Sequence, residues 1–401
     1  MKWPKRILMI ILSGALLLTF GCTPSRELKD MDIIEGMGID LTPSGDYQVT
    51  YQIFRSQDEN GSEKVSILQT TGKNLFECSR NITTQTGKRL YYSNQRAVIF
   101  GQSVAQKGIK PLMDFFARNH ELRLGERLFV AEKNAADILT AKDDNGIIPS
   151  QEYERVSTNE NFTSKVVDMQ LGEAIQRMST DSDCLYIPVL TKQQKTEGST
   201  SSAGGQGQSS GSSSSPGGTS SATSSASGSP SGKDILQVSR TAVFDHAGKL
   251  STFLTPEETR GFMWTHSGDV GGVLSVTLSN GQLVSLEIKG NQSKLSVQKD
   301  SFTIDLSFQT ALTETPDFMQ DVTRSQFTND IISKQNSQVK QEIQNALQTS
   351  FFNGNTDIFR IGSTYFHSFP DRWRQLQANW PKSGKNLKPI IHVKSTVSLY
   401  G

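Results

Sequence analysis

A chain of 401 residues, 35% hydrophobic and 20% charged, has material for two or three cores, since single cores rarely grow past about 250 residues. Its 41 basic and 40 acidic residues leave no cationic excess and so exclude the electrostatic footprint of a nucleic-acid-binding protein. The three cysteines and five histidines contain no CxxC pair and no two histidines on one helical face, which gives no basis for a zinc site or a histidine-based triad.

At the start, Lys2, Lys5 and Arg6 precede an apolar run from Ile7 to Phe20 that ends in Gly21 and Cys22. This is the pattern of an export signal. As a helix the run reaches about 21 Å, short of the roughly 30 Å hydrocarbon core, so a spanning segment is the weaker reading. LLLTFGC at 16–22 resembles a lipobox, with Thr19 and Phe20 where a branched aliphatic and a small residue are commoner. Cleavage after Gly21 would let Cys22 carry diacylglycerol. Two acyl chains, at about 0.8 kcal/mol per buried methylene, anchor stably where one does not. The alternative is plain secretion with an incidental cysteine. Loss of residues 1–21 removes three basic residues and leaves 38 basic against 40 acidic ones. Cys78 and Cys184 are then the remaining thiols besides Cys22, either paired or separately buried.

Met31 to Asp40 and Tyr47 to Phe54 read as a hairpin, with Pro43, Ser44, Gly45 and Asp46 between them. Asn74 caps a helix with Leu75, Cys78 and Ile82 on one face, ending near Gly87; a strand over Arg89 to Phe100 follows. Ser103 opens a helix with Leu112, Phe115 and Phe116 toward the core, and Arg127 to Ala131 is a strand. Ala135 to Ala141 is helical, Thr163 to Met178 carries Val167, Leu171, Ile175 and Met178 at helical spacing, and Leu185 to Leu190 is a short strand. The alternation of elements predicts mixed sheets covered by helices, within a region 22–194.

Residues 195–233 are a Ser/Gly tract almost free of apolar side chains, which predicts a disordered linker. A Gly/Ser coil of that length spans roughly 34 Å, or loops out of a compact body at small cost. In 234–401, Thr241 to Asp245 and Lys249 to Leu254 read as a hairpin. Thr255, Pro256 and Glu258 then form a capping box over a short helix to Trp264. Strands follow over Val273 to Leu278, Leu283 to Lys289, Lys294 to Gln298 and Ser301 to Phe308, with Asn280-Gly281 as a turn. A long helix from about Asp317 to Phe352 places Val322, Ile331, Val339, Ile343, Leu347 and Phe351 near one stripe, and Pro389 to Tyr400 is a half-buried terminal strand. This half is α+β.

Chemistry-bearing patterns are few. GDVGG at 268–272 lacks the P-loop lysine and reads as a turn. Arg118, His120, Glu121, Arg123, Glu126 and Arg127 form a charge run that is either a partner-docking ridge, centred on Arg118, Glu121 and Arg123, or a solvated helix end with weak ion pairs. Trp373 and Trp380, with Phe366, Phe369 and Pro370, either line a ligand cleft or, as is commoner, pack as core. No nucleophile and base are placed for hydrolysis.

GCTPSRELKDMDIIEGMGID at 21–40, RLYYSNQRAVIFG at 89–101, GIKPLMDFFARNHELR at 108–123, LTPEETRGFMW at 254–264 and FHSFPDRWRQLQANW at 366–380, in that order, resemble the Ger(x)C family, the lipoprotein C subunit of nutrient germinant receptors in endospore-forming bacteria. Thr23 and Pro24 stand where the family usually has Trp-Asp, and the Ser/Gly tract is atypical. The resemblance implies a multi-domain α+β protein without catalytic residues or cofactor, lipid-anchored on the outer face of the inner spore membrane beside two membrane-embedded subunits, of A-type and B-type. A solute-binding lipoprotein of a transporter is the rival reading.

Overall fold

The computed structural model describes residues 30–57, 63–158, 163–195, 233–266, 270–315 and 325–399. The export signal with Gly21 and Cys22, the interior of the Ser/Gly tract, Gly268 and Asp269 of GDVGG, and the start of the long helix with Val322 lie outside them.

Strands β1 (Met31–Leu41), β2 (Tyr47–Gln57) and β3 (Glu63–Gly72) make an antiparallel meander. Helix α1 (Leu75–Thr86) starts where the Asn74 side chain accepts from the Glu77 N–H at 2.9 Å and stops at Gly87, φ 70°, as the capping signals predict. The single strand expected over 89–100 is two, β4 (Arg89–Tyr91) and β5 (Ala97–Phe100), because the Gln95 N–H bonds back to the Tyr92 carbonyl at 2.9 Å and turns the chain. The helix expected from Ser103 also divides, into α2 (Gln102–Lys107) and α3 (Lys110–Arg118), at Gly108 with φ 118°.

Next come β6 (Arg127–Ala131), α4 (Ala135–Leu139), a minimal hairpin β7 (Lys142–Asp143) and β8 (Gly146–Ile147), α5 (Ser150–Thr158), α6 (Leu171–Met178) and β9 (Tyr186–Lys195). The helix expected from Thr163 begins only at Leu171. Val167 and Met169 are buried from extended chain, where the Met169 carbonyl accepts from the Leu128 N–H and Gln170 bridges Arg127. The second half contains β10 (Lys233–Phe244), β11 (Leu250–Leu254), α7 (Pro256–Met263), β12 (Val273–Thr277), β13 (Leu283–Gln298) and β14 (Ser301–Glu314). It ends with α8 (Ser325–Leu347), a π-helical turn (Gln348–Asn353), α9 (Ile361–Ser368), α10 (Pro370–Leu376) and β15 (Lys388–Ser398). The two strands expected over 283–298 are one, with an irregular register at Gly290, φ 154°.

A nine-stranded sheet runs in the order β11-β10-β9-β6-β5-β1-β2-β3, with β4 beside the start of β1. Its centre is parallel, β1 with β5, β5 with β6 and β6 with β9. Such strands are buried on both faces: Val98 and Phe100 of β5 join the core under α1, α3 and α6, while Ala97 and Ile99 face a second core with Leu139 and Tyr153 of α4 and α5. Strands β10 and β11 come from beyond the Ser/Gly tract, and β10 pairs antiparallel with β9 from Lys233 opposite Lys195 to Val243 opposite Tyr186. The ends of the tract are therefore neighbours in one sheet. A second sheet, β12-β13-β14-β15, lies under α8, whose Ile331, Val339, Ile343 and Leu347 are buried. These mixed and antiparallel sheets with a long C-terminal-half helix are the α+β architecture expected.

The glycines of the EGMGID segment have a steric reason. A Cβ on Gly36 would sit 1.9 Å from Ser150 Oγ, and one on Gly38 would sit 2.7 Å from a Leu139 methyl. Their absence lets α4 and α5 lie directly on β1. Asp40 then accepts from the Ala135 and Ala136 N–H groups at 2.8 and 2.9 Å, tying the start of α4 to the same strand.

Candidate functional site

The charge run begins at the end of α3, and the structure brings part of it to a cleft of about 440 Å³ between α1 and α3. Helix α1 supplies Phe76, Ser79, Arg80 and Thr83; β4 and the turn after it supply Arg89, Leu90 and Tyr92. The other wall is Phe115 and Arg118 with Asn119, His120 and Glu121. Aromatic rings form its floor: Phe115 meets Phe76 at 5.5 Å and Tyr92 at 6.1 Å, both edge to face. The Tyr92 hydroxyl donates to Ser79 Oγ at 2.9 Å, and burial pushes its pKa up, so it remains a neutral donor.

Arg118 and Glu121 both line this cleft. Arg118 pairs with Asp114 one turn back at 2.7 Å, and Glu121 receives Arg89 at 2.5 Å. Arg123 is exposed just beyond the rim and offers its backbone N–H to Glu126 at 3.0 Å. Glu126 itself leaves the surface. It is 2% exposed and accepts from Gln95 Nε2 at 3.0 Å, and burial raises its carboxyl to about 8. Arg127 is largely covered and pairs with Asp168 at 2.8 Å. A run that reads as one solvated ridge is thus split between a cleft wall and a buried loop closure. The burial of Glu126 was not legible because a carboxylate in a charge run is normally hydrated; only the three-residue spacing back to Arg123 hinted at a turn.

Trp373 and Trp380 are core, packed on each other at 5.3 Å, and Trp380 Nε1 donates to the buried Asp357 at 3.0 Å. Phe366 and Phe369 stay exposed on α9 and at its end, so the aromatic cluster does not close into a cleft. Cys78 and Cys184 are separate, buried and free. Burial raises the Cys78 thiol to about 11 and raises Cys184 as well. Cys184 Sγ lies 3.7 Å from His246 Nε2, but burial lowers the pKa of that histidine. Thiol and imidazole both stay neutral, so the pair lacks the thiolate a nucleophile needs. Among the described residues no group of three His, Cys, Asp or Glu side chains is placed to hold a metal ion. No helix among them is long and apolar enough to cross a membrane.

What the described surface offers is therefore a cleft lined by arginines and aromatic side chains, beside a sheet whose strands β9 and β10 flank the Ser/Gly tract. Comparison with known proteins matches both halves. Residues 24–192 match the family described as spore germination protein N-terminal domain, and residues 239–401 match spore germination B3/GerAC-like, C-terminal. Spore germination protein KC of Bacillus subtilis (strain 168) is 23% identical over 420 aligned positions, covering 96% of this chain and 93% of that protein. Spore germination protein B3 of the same organism is 20% identical, covering 91% and 90%. The crystal structure of the GerBC protein superposes with a TM-score of 0.51 at 16% identity, over 90% of this chain and 96% of that one. With both halves matched in order and the fold shared, the chain belongs to the Ger(x)C family of spore germination proteins.

Proposed function

We propose that the protein is a non-enzymatic, lipid-anchored subunit of a nutrient germinant receptor, held by Cys22 on the outer face of the inner spore membrane after cleavage behind Gly21. It stands there beside two membrane-embedded subunits, of A-type and B-type. The family match over both halves carries this reading. The lipobox-like LLLTFGC supports the anchor. Arg118, Glu121 and Arg123, the partner-docking ridge read from the sequence, would face the membrane and the subunits embedded in it. Residues 195–233 act as a polar tether or loop, with 22–194 and 234–401 as the two regions it joins.

Anchoring confines the protein near its partners and raises its effective concentration there. Cys22→Ala should therefore leave the salt-washed membrane fraction and lower nutrient-triggered germination nearly as far as deletion, with a receptor-independent trigger unaffected. A secreted form must be shown to fold, so that failed export is not mistaken for lost anchoring. Full nutrient response from the unanchored protein would overturn the mechanism, and equal loss through both triggers would indicate a general envelope role.

A further inference from the structure

We propose that the arginine-lined cleft between α1 and α3 rests on anionic lipid headgroups of the membrane that carries the chain; this rests on the anchored reading of Cys22. Three observations converge on that face. Met31, at the start of β1, pairs in parallel register with Arg89, which lines the cleft. Seven residues lie between Cys22 and Asp30, and the eight steps of chain from one to the other span at most about 29 Å. The anchor thus holds this end of the nine-stranded sheet close to the bilayer.

Charge is the second observation. Arg80, Arg89, Arg118 and Arg123 gather here against Asp114 and Glu121, and Arg80 and Arg123 form no ion pair among the described residues. A chain with no overall cationic excess has a local one at the end where its anchor is attached, and arginines near an anionic surface are attracted by its potential. Third, a large apolar side chain is exposed at the cleft itself. Phe76 at the cleft is 56% exposed and Leu124, three residues on from Glu121, is 63% exposed. Aromatic and aliphatic tips among arginines suit the boundary between headgroups and acyl chains. The second sheet, by contrast, carries Asp305, His392 and Lys394 on its open face, with Asp305 and His392 paired at 2.8 Å.

The test uses the mature chain with Cys22→Ala, so that binding without the acyl chains is read by flotation with vesicles. Partition is expected onto phosphatidylcholine vesicles containing about one-third phosphatidylglycerol and not onto pure phosphatidylcholine, with release near 1 M salt, where the screening length is about 3 Å. Arg80→Glu with Arg118→Glu should weaken it about tenfold or more, each cation contributing roughly fivefold. Lys394→Glu on the other sheet should leave it unchanged, and Phe76→Ser should weaken it. Equal partition onto both vesicle types, or indifference to the arginine reversals, overturns the proposal. So does a double-Glu variant that still floats but no longer captures the membrane subunits, which would assign the cleft to an acidic protein segment. Failure of the anchor reading looks different: after a wash near 1 M salt, which releases binding through the cleft, the lipidated parent and Cys22→Ala would show equal membrane partition in cells.

Discussion

Arg260 and Glu342 face each other across the contact between α7 and α8 as a buried, two-pronged ion pair, each less than one-tenth exposed, with Arg260 Nε 3.0 Å from the carboxylate. Trp264 Nε1 donates to the same carboxylate at 3.1 Å. The contact joins the helix that follows the nine-stranded sheet to the helix that covers the four-stranded one. Removing one partner leaves the other charge buried and uncompensated, so Glu342→Ala should lower stability by about 3–5 kcal/mol in urea unfolding. Replacing both by apolar residues of similar size should lose far less than the two single changes together. Simple additivity would mean that the pair is not coupled.

Close approach of the same helices depends on Gly261. A Cβ there would lie 2.1 Å from the Glu342 carbonyl oxygen and 2.4 Å from its carbon, main-chain atoms that move only with the helix. Gly261→Ala should therefore lose about 3 kcal/mol, at the top of the overpacking range. Gly36→Ala meets Ser150 Oγ, which can rotate away at the loss of its 2.7 Å bond to Gln52, and about 1–2 kcal/mol is expected. Thermal unfolding of the two variants side by side checks the order.

Burial raises the carboxyls of Glu126, to about 8, and Asp357, to about 7. Between the unfolded values near 4 and these folded values, the native state binds more protons than the unfolded chain, so stability falls as pH rises through that window. Glu126→Gln removes one source of the slope while a side-chain oxygen can still accept from Gln95. Urea midpoints at about pH 5 and pH 8 should then differ less than in the parent; an unchanged difference would clear Glu126 of the effect.

Protease cutting within 195–233 should leave the two fragments together on gel filtration, because β9 and β10 pair over ten positions. Replacing residues 196–232 by a two-residue Asn-Gly turn should preserve the fold, since Lys195 and Lys233 are already opposite one another. Separation of the nicked halves under native conditions would contradict the shared sheet.

Thermal-shift screening against amino acids and sugars distinguishes the receptor subunit from a solute-capturing lipoprotein. A solute held at a hundred times its Kd stabilises by about 2.7 kcal/mol. No single small solute is expected to produce so large and saturable an increase with the mature protein alone.

Much of the fold was legible where the determinant is local. Asn74 and Gly87 bound α1, Thr255 and Glu258 open α7, and Phe302 to Phe308 alternate along β14 as read. What escaped was non-local. β10 alternates weakly over Lys233 to Val238, and nothing in its residues names β9 as its neighbour across a tract of serine and glycine. Helix α5, with its polar Ser150 and Ser157 buried, lacks an apolar stripe because it packs on the glycines of β1. The cleft was half legible: Arg118 and Glu121 stood out as charges, but Phe76 and Arg80 reach it only through the packing of α1 beside α3, and Arg89 only through the placing of β4.

The seam between β9 and β10 also decides how relatives can be recombined. A chimera that crosses over inside the Ser/Gly tract, the obvious place by composition, builds its largest sheet from two parents and asks seven strands of one to accept β10 and β11 of the other. Crossing at Thr255 instead keeps all nine strands from a single parent and exchanges only the helices and the four-stranded sheet. Grafting experiments meant to find which half chooses a receptor partner therefore have their natural junction some twenty residues beyond the end of the tract, at a capping box, where one sheet has been completed and the next has not begun.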